Sequence, residues 1–243
     1  MRRRTLAALA ALSALGLAAP APAAQVTVDA GSSLDLGTGS LDLGCADLTV
    51  GGTLSAGTAG FSQARDVTID PTGVVNGNST TLQLSGDWDN AGSFNAGTST
   101  VQIADGCSLL SGVVAGNTSF AGLSITSTSA RLVSFEAGST TTVTGDLTLA
   151  GESGSLLQIR STLGGSPAFL NALGTSTAAF VDVDDNDASG GNVISLGPES
   201  VTGSNTPGWK FAALVPVLGA LGLLLLGLWL LWIGRGALAL RRG

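Results

Sequence analysis

The densest group of candidate oxygen ligands in the sequence is an acidic stretch near residue 185. Asp182, Asp184 and Asn186 occupy alternate positions, as in the first half of a calcium loop, where hard oxygen ligands wrap one cation. Asp187 stands where an EF-hand has glycine, and no glutamate follows at the closing position. Calcium is therefore the one candidate cofactor, and the alternative is a solvated Asx turn after a strand.

Paired carboxylates could also hydrolyse glycosides, which requires an acid and a base about 5 to 10 Å apart. On an extended strand Asp182 and Asp184 would share one face, about 7 Å apart. Asp87 and Asp89 do the same beside Trp88, a candidate sugar platform. Acids two residues apart are, however, expected by chance on an acidic outer face.

Histidine is absent from the chain. Its absence removes Ser-His-Asp and Cys-His catalysis, the usual zinc sites and the commonest general base at neutral pH. We therefore predict that the protein is not an enzyme, and we assign no catalytic residue.

The region between residues 24 and 206 is strongly acidic. It holds all 17 acidic residues of the chain but only Arg65, Arg131 and Arg160 as bases, so that 3 − 17 = −14, against −7 for the whole chain. Such a surface repels nucleic acid, because binding to nucleic acid depends on Lys and Arg meeting phosphate. We expect no nucleic-acid partner.

Both ends of the chain are apolar. Arg2, Arg3 and Arg4, an apolar stretch and an Ala-Pro-Ala cleavage signal predict a secretory signal peptide over residues 1–23. Residues 212–233 carry no charge and would form a helix of about 33 Å, enough to cross a hydrocarbon core of about 30 Å.

Three arginines follow the second apolar segment, namely Arg235, Arg241 and Arg242. By the positive-inside rule they place residues 234–243 in the cytoplasm and everything before Lys210 outside the inner membrane. We expect a single-pass inner-membrane protein whose main domain is exported, either retained there or sorted to the outer membrane or cell surface.

The exported region repeats with a period of about 20 residues. Five glycines share an apolar residue three positions earlier and a small polar residue directly after: Gly57, Gly77, Gly97, Gly116 and Gly138. Apolar-polar-apolar triplets recur at the same period: 26–28, 48–50, 67–69, 82–84, 101–103, 123–125 and 147–149. Alternation makes each triplet a half-buried strand, and glycine suits a corner that needs positive φ.

This pattern predicts an all-β fold, a right-handed parallel β-helix with two strands in each coil of about 20 residues. We assign residues 24–205 to it, with an atypical closing part at 149–205, and treat 206–211 as a linker that puts Trp209 at the membrane interface. The alternative is a β-sandwich, whose turns every 8–12 residues would also repeat near 20.

The two cysteines, Cys45 and Cys107, allow two readings. An even count in an exported chain favours a disulfide. The repeat, however, places them about three coils apart, hence about 14 Å, whereas a disulfide needs Cα atoms within about 7 Å. Both a disulfide and two free thiols remain open.

The second apolar segment resembles the IPTL-type member of the bacterial C-terminal sorting signals, relatives of PEP-CTERM segments. Against the pattern I-P-T-L-S-x-W-G, Val215 stands for the isoleucine, and Pro216, Leu218 and Gly222 keep register. The resemblance implies that a sortase-like membrane protease is a partner. The region before it resembles the Gly/Thr/Asn-rich repetitive parts of exported bacterial surface proteins, in runs such as 86–88 and 90–98.

These observations predict a non-enzymatic cell-envelope or surface protein with a structural or adhesive role, in contact with the membrane and with polysaccharide or extracellular matrix. The alternative is a polysaccharide-binding or polysaccharide-cleaving β-helix protein.

Pro216→Leu tests the sorting motif. Proline lacks the N–H and clashes with the preceding turn, so Pro216 would open the helix to a membrane protease. We expect the variant to insert normally but to accumulate as the full-length form in the inner membrane, as seen by fractionation and intact mass. Equal mass and location for variant and parent would show that the motif is inert.

Overall fold

The protein between residues 24 and 211, the part that the computed structural model describes, is built of β-strands without a helix. In chain order the strands are β1 (Gln25–Val28), β2 (Ser33–Asp35), β3 (Leu41–Asp42), β4 (Asp47–Val50), β5 (Thr53–Ser55), β6 (Phe61–Ala64), β7 (Val67–Ile69), β8 (Val74–Asn76), β9 (Thr81–Leu84), β10 (Trp88–Asn90), β11 (Ser93–Asn95), β12 (Thr100–Ala104), β13 (Ser111–Ala115), β14 (Thr118–Phe120), β15 (Gly122–Thr126), β16 (Leu132–Phe135), β17 (Thr140–Val143), β18 (Leu147–Ala150), β19 (Leu157–Ser161), β20 (Ala168–Ala172), β21 (Ser176–Ala179), β22 (Val181–Val183), β23 (Asn186–Asp187), β24 (Ile194–Leu196), β25 (Val201–Thr202) and β26 (Trp209–Phe211).

The strands form a parallel β-solenoid of about eight coils. Strands pair in parallel with their counterparts in the next coil, and each coil contributes one strand to each of three faces, except that the last described coil has no strand on the second face. The first face runs β1-β4-β7-β10-β13-β16-β19-β22-β25, and the third face runs β3-β6-β9-β12-β15-β18-β21-β24-β26. The predicted solenoid is confirmed and the sandwich alternative is wrong, but each coil has three strands where the sequence suggested two.

The core is a set of stacked columns of inward side chains. Along the first face Leu48, Val67, Trp88, Val114 and Phe135 lie in register in successive coils, and all five are fully buried. Alternation sends the neighbouring residues outward. Dispersion contacts between equivalent positions therefore run along the whole axis of the solenoid.

The 20-residue repeat conceals a change of face. The first three triplets lie on the first face, in β1, β4 and β7, whereas those from Leu82 onward lie on the third face. Likewise Gly57 and Gly97 form corners between the second and third faces, and Gly116 and Gly138 form corners between the first and second. Gly77 lacks the positive φ expected of it, and the next residue, Asn78, has φ 53° instead.

The second face is interrupted halfway along the solenoid. It consists of one sheet ordered β11-β8-β5-β2 and a separate sheet ordered β14-β17-β20-β23. Beside the break, Trp88 packs on Phe94 and Phe120, with ring centroids 4.9 and 5.4 Å away. The Trp88 indole N–H donates to the Thr118 hydroxyl at 3.3 Å, so the aromatic group continues the core where the ladder stops.

The part assigned to an atypical end, 149–205, continues the same sheets through β19 to β25. Two of its corners are small loops closed by antiparallel bridges between Glu152 and Ser155 and between Leu163 and Ser166, as the corner 105–110 is closed between Gly106 and Leu109. The larger corners obscure the repeat in the sequence although the strands keep their places.

The linker predicted for residues 206–211 is not one, because Trp209–Phe211 forms β26 and pairs with β24. Trp209 is only 6% exposed, and its indole N–H donates to the Asn186 carbonyl at 3.0 Å. Its predicted place at a membrane interface is therefore wrong. Trp209 lies opposite Ile194 and closes the core.

The predicted signal peptide, the apolar segment 212–233, the sorting motif and the three C-terminal arginines fall outside the described residues. Among residues 24–211 the structure has no helix long and apolar enough to cross a membrane.

Truncating a stacked phenylalanine tests the core. Phe135→Ala should lower the free energy of unfolding by about 3–5 kcal/mol, because Phe135 is fully buried and the cavity cannot collapse between fixed coils. Phe94→Ala is the matched control and should cost clearly less, since Phe94 is only partly buried. Equal losses in chemical denaturation would contradict the stacking described here.

Candidate functional site

The carboxylates are used mainly to hold the corners of the coils. Asp66 accepts the backbone N–H of Asp87 at 2.8 Å, and Asp87 accepts that of Val113 at 2.8 Å. Asp105 accepts the N–H of Thr128 at 2.9 Å. Each acid thus satisfies an amide of the next coil that lies at the end of a ladder, where no carbonyl faces it.

Asp47, Asp66 and Asp87 form an acidic column at the start of the first face. Arg65 bridges the first two of them, with its Nε 3.1 Å from Asp66. Partial desolvation raises the pKa of Asp87, and the charges of Asp66 and Asp89 raise it further, against the hydrogen bond from Val113. The column is thus partly neutralised by a base and by backbone donors.

The sugar platform proposed at Trp88 is ruled out by burial. Trp88 is fully buried and faces the core between the outward Asp87 and Asp89, so no sugar ring can stack on it. The carboxylate pair therefore lacks the neighbouring aromatic surface that made it a candidate for glycoside chemistry.

The candidate calcium residues are engaged separately. Asp182 forms an ion pair with the Arg160 guanidinium, and Asp184 accepts a hydrogen bond from the Ser204 N–H at 2.5 Å. Asn186 is fully buried in the core, so it does not join the two outward carboxylates. Within 24–211 there is no group of three or more His, Cys, Asp or Glu that could hold a metal, and calcium binding remains an untested prediction.

Asp185, which the sequence did not single out, is the best-bonded acid of this stretch. It accepts the Gly165 N–H and the Asn205 side-chain amide, both at 2.7 Å. These hydrogen bonds, the first being the larger cause, lower its pKa. Asp185 thereby joins corners of three successive coils.

The structure joins Cys45 and Cys107 in a disulfide, with their Cα atoms 5.4 Å apart. Cys45 lies in the corner after the first coil and Cys107 in the corner after the fourth. The predicted separation of three coils is confirmed, but the predicted distance is wrong, because the corner 105–110 is long and folds back over the coils between. A Cβ on Gly106 would stand 2.4 Å from the Ser85 hydroxyl oxygen, so glycine permits this close passage.

Arg131 holds the same corner from beneath. Its guanidinium is fully buried and donates to the carbonyls of Ala104 at 3.2 Å, Leu109 at 3.3 Å and Ser85. Burial lowers the pKa of Arg131, and the nearby charge of Asp105, 3.9 Å away, opposes that shift. Sequence reasoning missed this role, whose only signal is a lone arginine in a stretch poor in bases.

Asp105 completes this arrangement. Its burial alone would raise its pKa, but hydrogen bonds from Ser127, Thr128 and Ser129 together lower it. The charged form is therefore favoured at the position where it faces Arg131. The corner 105–110 is fixed at its base by this ion pair and at its tip by the disulfide, and we call it the disulfide corner.

The outward faces carry short polar ladders between coils. The Gln25 amide donates to the Thr49 hydroxyl at 2.9 Å, and the Asn95 amide donates to the Asn76 side-chain oxygen at 2.9 Å. Two shallow depressions flank the third face, with volumes of about 350 and 310 Å³. Each contains a single acid, Asp146 or Asp105, and so neither offers the carboxylate pair of a glycosidase.

Comparison with known proteins adds no relative. No protein-family model, no curated protein and no solved structure matches the chain. A function for the protein is consequently based on its residues and on the geometry of the solenoid.

Removing the disulfide should destabilise the solenoid. It closes a loop of 62 residues, for which the chain-entropy model gives about 4 kcal/mol. We expect Cys45→Ala with Cys107→Ala, and equally the reduced parent, to unfold at lower denaturant concentration. Ser108→Ala, in the same corner, is the matched control and should change little; a reduced parent as stable as the oxidised one would refute the prediction.

Proposed function

We propose that the protein is a non-enzymatic component of the cell envelope with a structural or adhesive role. It is exported by the segment 1–23 and held by the apolar segment 212–233, so that the solenoid stands outside the inner membrane. A sortase-like protease acting near Pro216 would convert the anchored form into one sorted to the outer membrane or cell surface.

The disulfide is the observation that carries this proposal. Disulfides persist in oxidising compartments and are rare in the reducing cytosol. Cys45 and Cys107 meet with a Cα separation of 5.4 Å, inside the ordinary range for disulfides. Three coils separate the two residues, and the long disulfide corner spans the distance between them.

The use of the charged groups supports a structural role over catalysis. Asp66, Asp87, Asp105, Asp184 and Asp185 all accept backbone N–H groups. Such acids stabilise corners, and their charge keeps the surface strongly negative. Of the residues that suggested polysaccharide cleavage, Trp88 is buried, Asp87 and Asp184 accept backbone N–H groups, and Asp182 is paired with Arg160.

The outer surface suits a structural or adhesive role. Its ladders of Ser, Thr, Asn and Gln offer hydroxyl and amide groups at the coil spacing of about 4.8 Å. A neutral polysaccharide or a matrix protein is the partner that fits them, since an anionic one would be repelled. We also propose that the coils are right-handed, because parallel crossovers are so in about 98% of cases.

Fractionation with intact-mass measurement tests the proposal. We expect the mature chain to lack residues 1–23, to reside with the envelope and to resist alkylation of its cysteines until reduced. A further loss of mass at the C-terminal side, with release from the inner membrane, would support sorting. A cytoplasmic chain with residues 1–23 intact and both thiols free would contradict export.

A further inference from the structure

The last coil ends the solenoid with an exposed aromatic ring. Phe211 lies in the inward column of the third face, in register with Leu196. Leu196 is 2% exposed, whereas Phe211, in the last coil that the structure describes, is 58% exposed. Val201, on the outer side of the first face of the same coil and in register with the outward Asp182, is 45% exposed, so this coil presents apolar side chains both at its end and at its side.

The last coil is otherwise complete. Between β25 and β26 the chain crosses the second face as a loop, where the Ala188 N–H donates to the Pro207 carbonyl at 2.8 Å and the Asp185 N–H to the Ser204 carbonyl at 2.9 Å. Trp209 then covers the core. We call residues 199–211 the terminal coil; it is fixed to the solenoid along all three faces.

No spacer separates the terminal coil from the apolar segment. Phe211 is still hydrogen-bonded in the sheet as a residue of β26, and the uncharged run begins at Ala212. A folded coil joined directly to a membrane span cannot move away from the bilayer by more than the reach of a residue or two, about 3.5 Å for each.

We propose that the terminal coil rests on the lipid surface, with Phe211 and Val201 in contact with the interfacial region of the bilayer. This inference relies on the anchoring in the proposed function. Aromatic side chains favour the level of the headgroups, and burying the apolar surface of Phe211 there is favourable. The solenoid would then stand on the membrane, with its first coil about 40 Å away at about 4.8 Å for each of eight coils.

A lipid surface fits this end better than a second copy of the chain. Under the proposed anchoring, a copy stacked on the terminal coil would have to share its end with the membrane span that begins at the next residue, Ala212. The lipid should be zwitterionic, because the solenoid carries 17 acids against three bases up to residue 206 and would be repelled by an anionic surface.

Spin labels at both ends of the solenoid test the inference. The oxidised full-length chain is reconstituted into phosphatidylcholine vesicles, and flotation first shows whether it is anchored. Single cysteines are then introduced as Phe211→Cys, Val201→Cys and, in the first coil, Ser33→Cys, and labelled without reduction. Accessibility to oxygen, which concentrates in lipid, is compared with accessibility to a water-soluble nickel chelate.

We expect the labels at 211 and 201 to be several-fold more accessible to oxygen relative to nickel than the label at 33. A matched variant with ten Gly/Ser residues between Phe211 and Ala212, a spacer of roughly 17 Å, should make the label at 201 resemble the label at 33. Both results support the inference.

Three results would overturn it. If the chain floats with the vesicles but all three labels are equally accessible to nickel, the anchor holds and the terminal coil stands clear of the lipid. If the label at 201 is shielded from oxygen and nickel alike, protein covers this end. If the chain does not float, the anchoring of the proposed function fails, and flotation records that failure separately from the labels.

Discussion

The pairing of each strand with the same strand of the next coil is the constraint on which the molecule depends. A strand of three or four residues cannot satisfy its backbone groups alone, so the coils must match their neighbours along the first and third faces, whose ladders run the whole length of the solenoid. Extra residues therefore enter mainly at corners, although β6 holds one as a bulge between Phe61 and Ala64. The disulfide corner, and the loops closed at Glu152–Ser155 and Leu163–Ser166, are insertions at corners, and the ladders of the first and third faces continue past them.

The same constraint explains the unusual charge of the solenoid. At a corner the chain leaves the ladder, and its N–H groups need acceptors that the next coil does not supply as carbonyls. Short acidic side chains such as Asp66 and Asp87 reach these groups. The opposite case also occurs, most clearly at the disulfide corner, where several carbonyls converge and the buried Arg131 supplies the donors. Part of the acid richness is thus a consequence of the architecture.

Sequence periodicity predicts the solenoid, because the alternation of apolar and polar residues and the length of a coil are both visible in the sequence. It does not determine the number of faces. The triplets at 67–69 and 82–84 look equivalent although they lie on different faces. Trp88 could have been placed correctly, since alternation with Asp87 and Asp89 already turns it inward. The disulfide and the role of Arg131 could not have been predicted. The path of a long corner, and the carbonyls that converge beneath it, depend on contacts between coils that the sequence does not show.

The first and the last described coils differ. Each has strands that pair on one side only, and the two coils treat this unpaired edge differently. At the start, Val26, Leu34 and Leu41 are only partly buried, and the strands β2 and β3 are short. Asp35 and Asp42 turn their carboxylates to Gly37 and Gly44 beside this edge. Short strands and charge discourage the addition of another strand at this edge. In the terminal coil Trp209 covers the core, whereas Phe211 is exposed. This exposed ring directly precedes the apolar segment that begins at Ala212.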